Sequence, residues 1–153
     1  MHITILYATY SNSTYAAAEV LNEELVELGH EVSVSLVNTA TAETLTNTDL
    51  TIFTSPSWDY DGKEGQPHED FFAFFKRIET NPPAGFSYTI MALGDSNYTY
   101  FCGAADEIAA LATAASGNQT LEPLKLDQYY LNEPAREQEI RTWAKEVSIA
   151  ISQ

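Results

Sequence analysis

Five short apolar runs, separated by stretches of helical period, constrain this chain more than any other feature. His2-Ile3-Thr4-Ile5-Leu6-Tyr7 reads as a first strand. Behind it Ala17, Val20, Leu21, Leu25 and Leu28 fall on one face of a helix that begins near Tyr15 and that Gly29 can terminate. Glu31-Val32-Ser33-Val34-Ser35-Leu36 alternates as a second strand, and residues 38–45 form a brief helix. Leu50-Thr51-Ile52-Phe53-Thr54 is a third strand that stops before Pro56, and Phe71, Phe72, Phe74, Phe75 and Ile78 supply the buried face of the next helix. Residues 88–93 make a fourth strand, ahead of an alanine-rich helix from about 103 to 115. A fifth strand near 120–126 precedes a last helix, on which Ile140, Trp143, Ala144, Val147 and Ile151 recur at helical spacing. Strands alternating with helices are joined by right-handed crossovers and lie parallel. The expected fold is therefore α/β, a three-layer sandwich around a five-stranded parallel sheet, in one domain spanning residues 1–153.

In such sheets ligands bind beyond the carboxyl ends of the strands, and the unusual residues of this chain lie after strands one, three and four. After strand one comes Thr9-Tyr10-Ser11-Asn12-Ser13-Thr14, small hydroxyl and amide side chains in all but one position. The first N–H groups of the helix that follows have no partner inside it and carry the positive end of its dipole, so they stabilise an anion without a cation. No cation is at hand in sequence, because the first basic residue after the start of the chain is Lys63. A phosphate here would be held by backbone N–H groups and by the hydroxyls of Thr9, Ser11, Ser13 and Thr14. An ordinary helix N-cap followed by a surface turn is the alternative.

After strand three comes Ser55-Pro56-Ser57-Trp58-Asp59-Tyr60-Asp61-Gly62, and after strand four Gly94-Asp95-Ser96-Asn97-Tyr98-Thr99-Tyr100-Phe101-Cys102-Gly103. Both place aromatic rings where turns prefer polar residues. Trp58 and Tyr98 either fold back onto the domain or cover a planar aromatic ligand between them.

Charge narrows the partners. Seven Lys plus Arg against 22 Asp plus Glu give a net charge of −15, which speaks against nucleic acid and favours a basic protein partner steered to the surface; solubility alone would serve as well. No apolar run is long enough to span a membrane and no leader-like segment opens the chain, so a cytoplasmic protein is expected. Cys102 is the one cysteine, and the three histidines lack ligand spacing, so no metal site is expected. There is no Walker pattern, no nicotinamide fingerprint and no plausible Ser/His/Asp set.

The whole chain resembles the flavodoxin family, in its short-chain form. Residues 94–103, Gly-Asp-Ser-Asn-Tyr-Thr-Tyr-Phe-Cys-Gly, look like the family's second flavin-binding loop; residues 9–14 resemble its phosphate loop, and Ser57-Trp58 its first flavin-binding loop. The resemblance implies a sheet of order 2-1-3-4-5 and a noncovalently bound FMN. Its phosphate would lie at Thr9, Ser11, Ser13 and Thr14, and its ring between Trp58 and Tyr98. The backbone at Asp95, Tyr100 and Cys102 would meet the flavin's pyrimidine edge. Tyr10, Asn12, Ser55, Pro56, Asp59, Gly62, Gly94 and Phe101 complete the candidate cofactor-binding set. On this reading Cys102 is a main-chain contact, not a nucleophile, and the Asp95 carboxylate fixes its turn.

The implied function is that of a low-potential one-electron carrier, a monomer that shuttles electrons between a reductase and acceptor enzymes with basic docking surfaces. Glu64, Glu69 and Asp70 are candidates for an acidic docking rim, and Asp59, Asp61 and Asp95 for the nearby charges that oppose the anionic reduced flavin. A quinone reductase-like flavin enzyme and a dedicated redox activator of one partner are the alternatives. A phosphoacceptor signalling domain of the same sheet order would need an aspartate cluster where this chain has Tyr7-Ala8-Thr9. Two positions depart from the family pattern, which commonly has glycine at both. Asn12 tolerates positive φ. Asp59 follows the stacking Trp58, and is expected to make that peptide harder to turn over on reduction.

Overall fold

The computed structural model describes residues 1–60 and 62–153, with Tyr60 described by its backbone alone; the Asp61 named above lies outside them. The chain runs β1 (His2–Tyr7), α1 (Ser13–Glu27), β2 (Glu31–Leu36), α2 (Ala42–Thr46), β3 (Leu50–Pro56), β4 (Trp58–Tyr60), β5 (Lys63–Gln66), α3 (Glu69–Ile78), β6 (Phe86–Gly94), α4 (Gly103–Ala114), β7 (Gly117–Gln119), β8 (Leu124–Asp127) and α5 (Glu133–Ile151). The main sheet has the order β2-β1-β3-β6-β7, with β8 also on β6, and its pairings are parallel.

β7 and β8 together stand where one fifth strand was expected. β7 pairs with Phe86–Tyr88 and β8 with Met91–Gly94, at the two ends of the same neighbour. Between them the chain leaves the ladder at residues 120–123, where Pro123 has no N–H to donate. The gap is closed by other bonds, from Thr120 N–H to the Tyr88 carbonyl and from the Thr89 hydroxyl to the Leu121 carbonyl. The order 2-1-3-4-5 therefore holds, with its fifth member broken in two. β3 also continues through Pro56 instead of stopping before it, because Pro56 pairs with Leu93 at the end of the strand, where a missing N–H costs little.

Alternation along the strands sends side chains to two helical layers. Ile3, Ile5, Leu50, Ile52, Met91, Leu93 and Leu126 pack against Ala17, Leu21 and Leu25 of α1 and Ile140, Trp143, Ala144 and Val147 of α5. Leu28, placed on that face by its spacing, is exposed at the end of α1, where Gly29 at φ 95° turns the chain. On the other side Leu6, Phe53, Ile90 and Ala92 meet Phe71, Phe74, Phe75 and Ile78 of α3 and Ala105, Ile108 and Ala112 of α4. Phe72 is only half-buried. Arg141 of α5 bridges Glu23 and Glu24 of α1 at 3.0 Å each, locking one layer laterally. With both faces covered, the ends of the strands are left as the place for a site, and the loops after β1, β3, β6 and β8 converge at one end.

Candidate functional site

The loop after β1 sits at the helix N-terminus as expected. Asn12, at φ 66° and ψ −6°, makes the left-handed turn into α1, and its side chain makes no capping hydrogen bond. Asn is the residue other than glycine best suited to that conformation. The first N–H groups of α1 are thus left without a side-chain cap. Thr9, Tyr10, Ser11, Ser13 and Thr14 line a cleft of about 400 Å³. Within this loop the Thr9 hydroxyl is buried and finds no hydrogen-bond partner among the described residues. An orphaned buried hydroxyl costs about 1–3 kcal/mol, and an acceptor bound in the cleft would relieve that penalty.

The same cleft is walled by Pro56, Ser57 and Trp58 after β3, by Leu93, Gly94 and Asp95 after β6, and by Gln128, Tyr129, Tyr130 and Leu131 after β8. Beside it lies a slit of only about 10 Å³, between Ser57, Trp58, Glu64 and Gly65 on one side and Asp95, Tyr98, Tyr100 and Cys102 on the other. Trp58 borders both spaces. Trp58 and Tyr98 therefore flank a common slit and do not fold into the body of the domain; they remain 38% and 51% exposed.

The slit is closed by bonds between its walls. The residues after Trp58 are not a plain loop but a hairpin, β4 paired antiparallel with β5, with an irregular register between Trp58 and Tyr60. Gly65, at φ 76°, lets this hairpin press against the second loop: a Cβ there would meet Tyr100 Cβ at 2.9 Å, and one on Gly103 would meet the Gly65 carbonyl oxygen at 2.7 Å. Glu64 Oε1 accepts the Tyr100 N–H at 2.9 Å. Ser57 donates its N–H to the Leu93 carbonyl and accepts the Ala104 N–H on its hydroxyl. Glu64 thus stands inside the slit, whereas Glu69 and Asp70 open α3, where acids complement the helix dipole.

The second loop is fixed from beneath. Asp95 Oδ1 accepts the Asn97 N–H at 2.8 Å and the Gln128 amide at 3.2 Å, so its carboxylate holds the turn. Asp127 Oδ1 accepts the Ser96 N–H at 2.8 Å. Hydrogen bonds from Ser96, through side chain and backbone, hold the Asp127 carboxyl below the usual carboxylate range. Cys102 takes the left-handed turn into α4 at φ 51°. Burial pushes its thiol up to about 12, so it stays protonated and unreactive at neutral pH.

Several other sequence-read positions lie apart from both spaces. Ser55 is buried, accepting the His68 N–H and donating to the Pro56 carbonyl, and Phe101 packs on the core. Gly62 lines a separate outer groove with Lys63 and Gln66. Asp59 is exposed at the hairpin irregularity and does not take positive φ. Tyr10 lines the phosphate-side cleft while its ring lies 3.9 Å from Trp58 and 4.0 Å from His68, centroid to centroid, so it buttresses the tryptophan. Glu64 was read only as a rim acid, and Gly65 and the 128–131 segment went unread. The last carries the signal used for the other loops, aromatic residues just beyond a strand's carboxyl end.

Fold and site together define a doubly wound α/β protein with a hydroxyl-lined cleft and an aromatic-walled slit at the carboxyl edge of its sheet. The family model for flavodoxin matches residues 5–143, and the chain belongs to the flavodoxin family. Flavodoxins of Nitratidesulfovibrio vulgaris (strain Miyazaki F) and Maridesulfovibrio salexigens are similar. The first is 29% identical over 127 residues, covering 82% of this chain and 84% of its own; the second is 28% identical over 145 residues, covering 94% of each. The oxidised flavodoxin 2 of Bacillus cereus superposes with a TM-score of 0.79 at 26% identity, over 99% of this chain and 98% of its own. A flavodoxin of Fusobacterium nucleatum bound to flavin mononucleotide shares the fold, with a TM-score of 0.74 at 18% identity over 97% and 98%.

Proposed function

We propose that this flavodoxin carries electrons one at a time on a noncovalently bound FMN, with the phosphate in the Thr9–Thr14 cleft and the flavin ring between Trp58 and Tyr98. The buried, unpartnered Thr9 hydroxyl in a cleft that adjoins the aromatic slit carries this reading. It suits a ligand with an anion at one end and a flat ring at the other. The FMN-bound Fusobacterium nucleatum relative supports the same ligand.

Bound FMN supplies the redox chemistry, and the chain supplies binding, orientation and electrostatics. Thr9, Ser11, Ser13 and Thr14 offer hydroxyls to a phosphate, and the N-terminus of α1 offers N–H groups. Trp58 and Tyr98 would cover the two faces of a ring held between them. Neither the cleft nor the slit is lined by Lys, Arg or His among the described residues, while Asp95 and Glu64 line the slit. These linings would offer carboxylates and no cation to negative charge on a bound, reduced flavin. Like charges about 4 Å apart at an effective dielectric of about 20 repel by about 4 kcal/mol. The protein is accordingly a low-potential donor. The excess of acids, −15 overall, suits docking on basic patches of a reductase and of acceptor enzymes.

Titrating the flavin-free protein with FMN while following tryptophan fluorescence tests the reading. One equivalent should quench Trp58, and the Trp58→Ala variant should lose most of that quenching. No saturable binding, or quenching that persists unchanged in the variant, would overturn the placement. Steady consumption of NADPH with a quinone by the FMN-loaded protein alone would favour the enzyme alternative.

A further inference from the structure

The segment after β8 spans the mouth of the site. Its base is tied to the second loop: the Gln128 N–H donates to the Gly94 carbonyl at 2.8 Å, the Gln128 amide to Asp95 at 3.2 Å, and Asp127 accepts from Ser96. Gln128 takes a left-handed turn at φ 48°, and a single 3-10 turn over Tyr129–Leu131 follows. Tyr129 is buried beneath it, with Tyr130 packed edge-on against it at 5.9 Å. Arg136 of α5 pins the start of the segment by donating to the Asp127 carbonyl at 2.8 Å. From this footing Tyr130 reaches across the cleft, and its hydroxyl donates to the Ser11 carbonyl at 3.1 Å, across 119 residues of chain.

We infer that Tyr130 is a positioning residue for phosphate, a latch that holds the phosphate loop from the opposite wall of the cleft and thereby sets selectivity for the phosphorylated flavin. In a planar trans peptide the carbonyl and the next N–H point in opposite directions. Fixing the Ser11 carbonyl therefore fixes the Asn12 N–H at the point where the chain turns left-handed into α1. Within the loop the Ser11 and Ser13 hydroxyls also meet at 3.3 Å. Tyr130 is 56% exposed and Leu131 77% exposed, large apolar side chains placed in solvent, where burial alone would not hold them. The latch bond is made to the phosphate loop, so its effect falls on the anion end of the ligand.

The inference rests on the FMN reading, and the test separates the two. Dissociation constants for FMN and for riboflavin, which lacks the phosphate, are measured on flavin-free wild type, Tyr130→Phe and Tyr130→Ala, with thermal melts of each. Loss of one net hydrogen bond should weaken FMN about three- to tenfold in Tyr130→Phe and leave riboflavin unchanged, so that the FMN-to-riboflavin preference falls by that factor. Tyr130→Ala should fall at least as far. Inorganic phosphate should compete with FMN less well in both variants than in wild type. An unchanged preference, whether both ligands hold or both weaken together with the melting temperature, overturns the latch and leaves the FMN reading intact. A wild type that binds neither flavin overturns the FMN reading, and the latch with it.

Discussion

The two ends of the site are built in opposite ways. The end proposed for the phosphate is an open cleft of about 400 Å³, whose hydroxyls come from one contiguous turn, with the buried Thr9 hydroxyl unpartnered among the described residues. The end proposed for the ring is a slit of about 10 Å³ whose walls are joined through Glu64, Ser57 and the close approach of Gly65 to Gly103. One end waits for a partner, and the other has satisfied its polar groups internally. Ligand entry therefore costs little at the anion cleft and requires movement between the aromatic walls. Anchoring the phosphate first, with the ring following as the hairpin and the second loop part, is the order of events that this asymmetry favours.

The contrast breaks most severely at Gly103. A Cβ there meets backbone rather than a yielding side chain, with the Gly65 carbonyl oxygen at 2.7 Å and its Cα at 3.0 Å. Gly103→Ala should destabilise the flavin-free protein by about 1–3 kcal/mol. It should also weaken riboflavin more than inorganic phosphate, as thermal melts and competition titrations would read. Equal weakening of both would mean that the two ends are not separable. At the other end, Thr9→Val removes a hydroxyl that has no partner in the unliganded protein. Stability without ligand should hold or rise, while FMN affinity falls roughly ten- to hundredfold, the loss expected for a hydrogen bond to a charged group of about 1.5–3 kcal/mol.

Two smaller effects refine the ring end. Asp59→Gly relieves the backbone beside Trp58. It should alter the separation between the two one-electron potentials in a redox titration while leaving phosphate competition untouched; an unchanged separation would remove Asp59 from the account. Asp127 gives the weakest signal. Its folded-state pKa is depressed by Ser96, so its contribution to stability is present above the ordinary carboxylate pKa of about 4 and fades as pH falls through the lower folded value. Chemical denaturation across that acid range should show Asp127→Asn with a flatter pH dependence than wild type.

The same asymmetry explains what could be read from the chain. The alternation of strands and helices is local, so the layers and both halves of the core were legible, down to Phe53 and Ile140, while the sheet order came from the family resemblance. The place of the 9–14 loop at the helix N-terminus and in the cleft was legible because its hydroxyls and its left-handed Asn12 are contiguous. The ring end was legible only in its rings. Its fastening depends on pairs far apart in sequence, such as Glu64 with Tyr100 at a separation of 36, and so does the tie from Tyr130 to Ser11 at the other end, at 119; no periodicity announces either. Glu64 accordingly read as a surface acid, and the hairpin of β4 and β5 read as a loop because its strands are short and carry glycine at the bulge. The broken fifth strand turned on Pro123, whose effect on pairing shows only once its neighbour is known.

The central claim is that this chain holds FMN as a carrier of single electrons, and anaerobic reduction by dithionite, followed by visible absorption, tests it most directly. The account predicts a yellow protein that releases FMN on denaturation, accepts electrons in two separate one-electron steps at a hydroquinone couple more negative than that of free FMN, and consumes no NADPH alone. A colourless protein that does not bind added FMN, or a bound flavin reduced no less easily than free FMN, would contradict it.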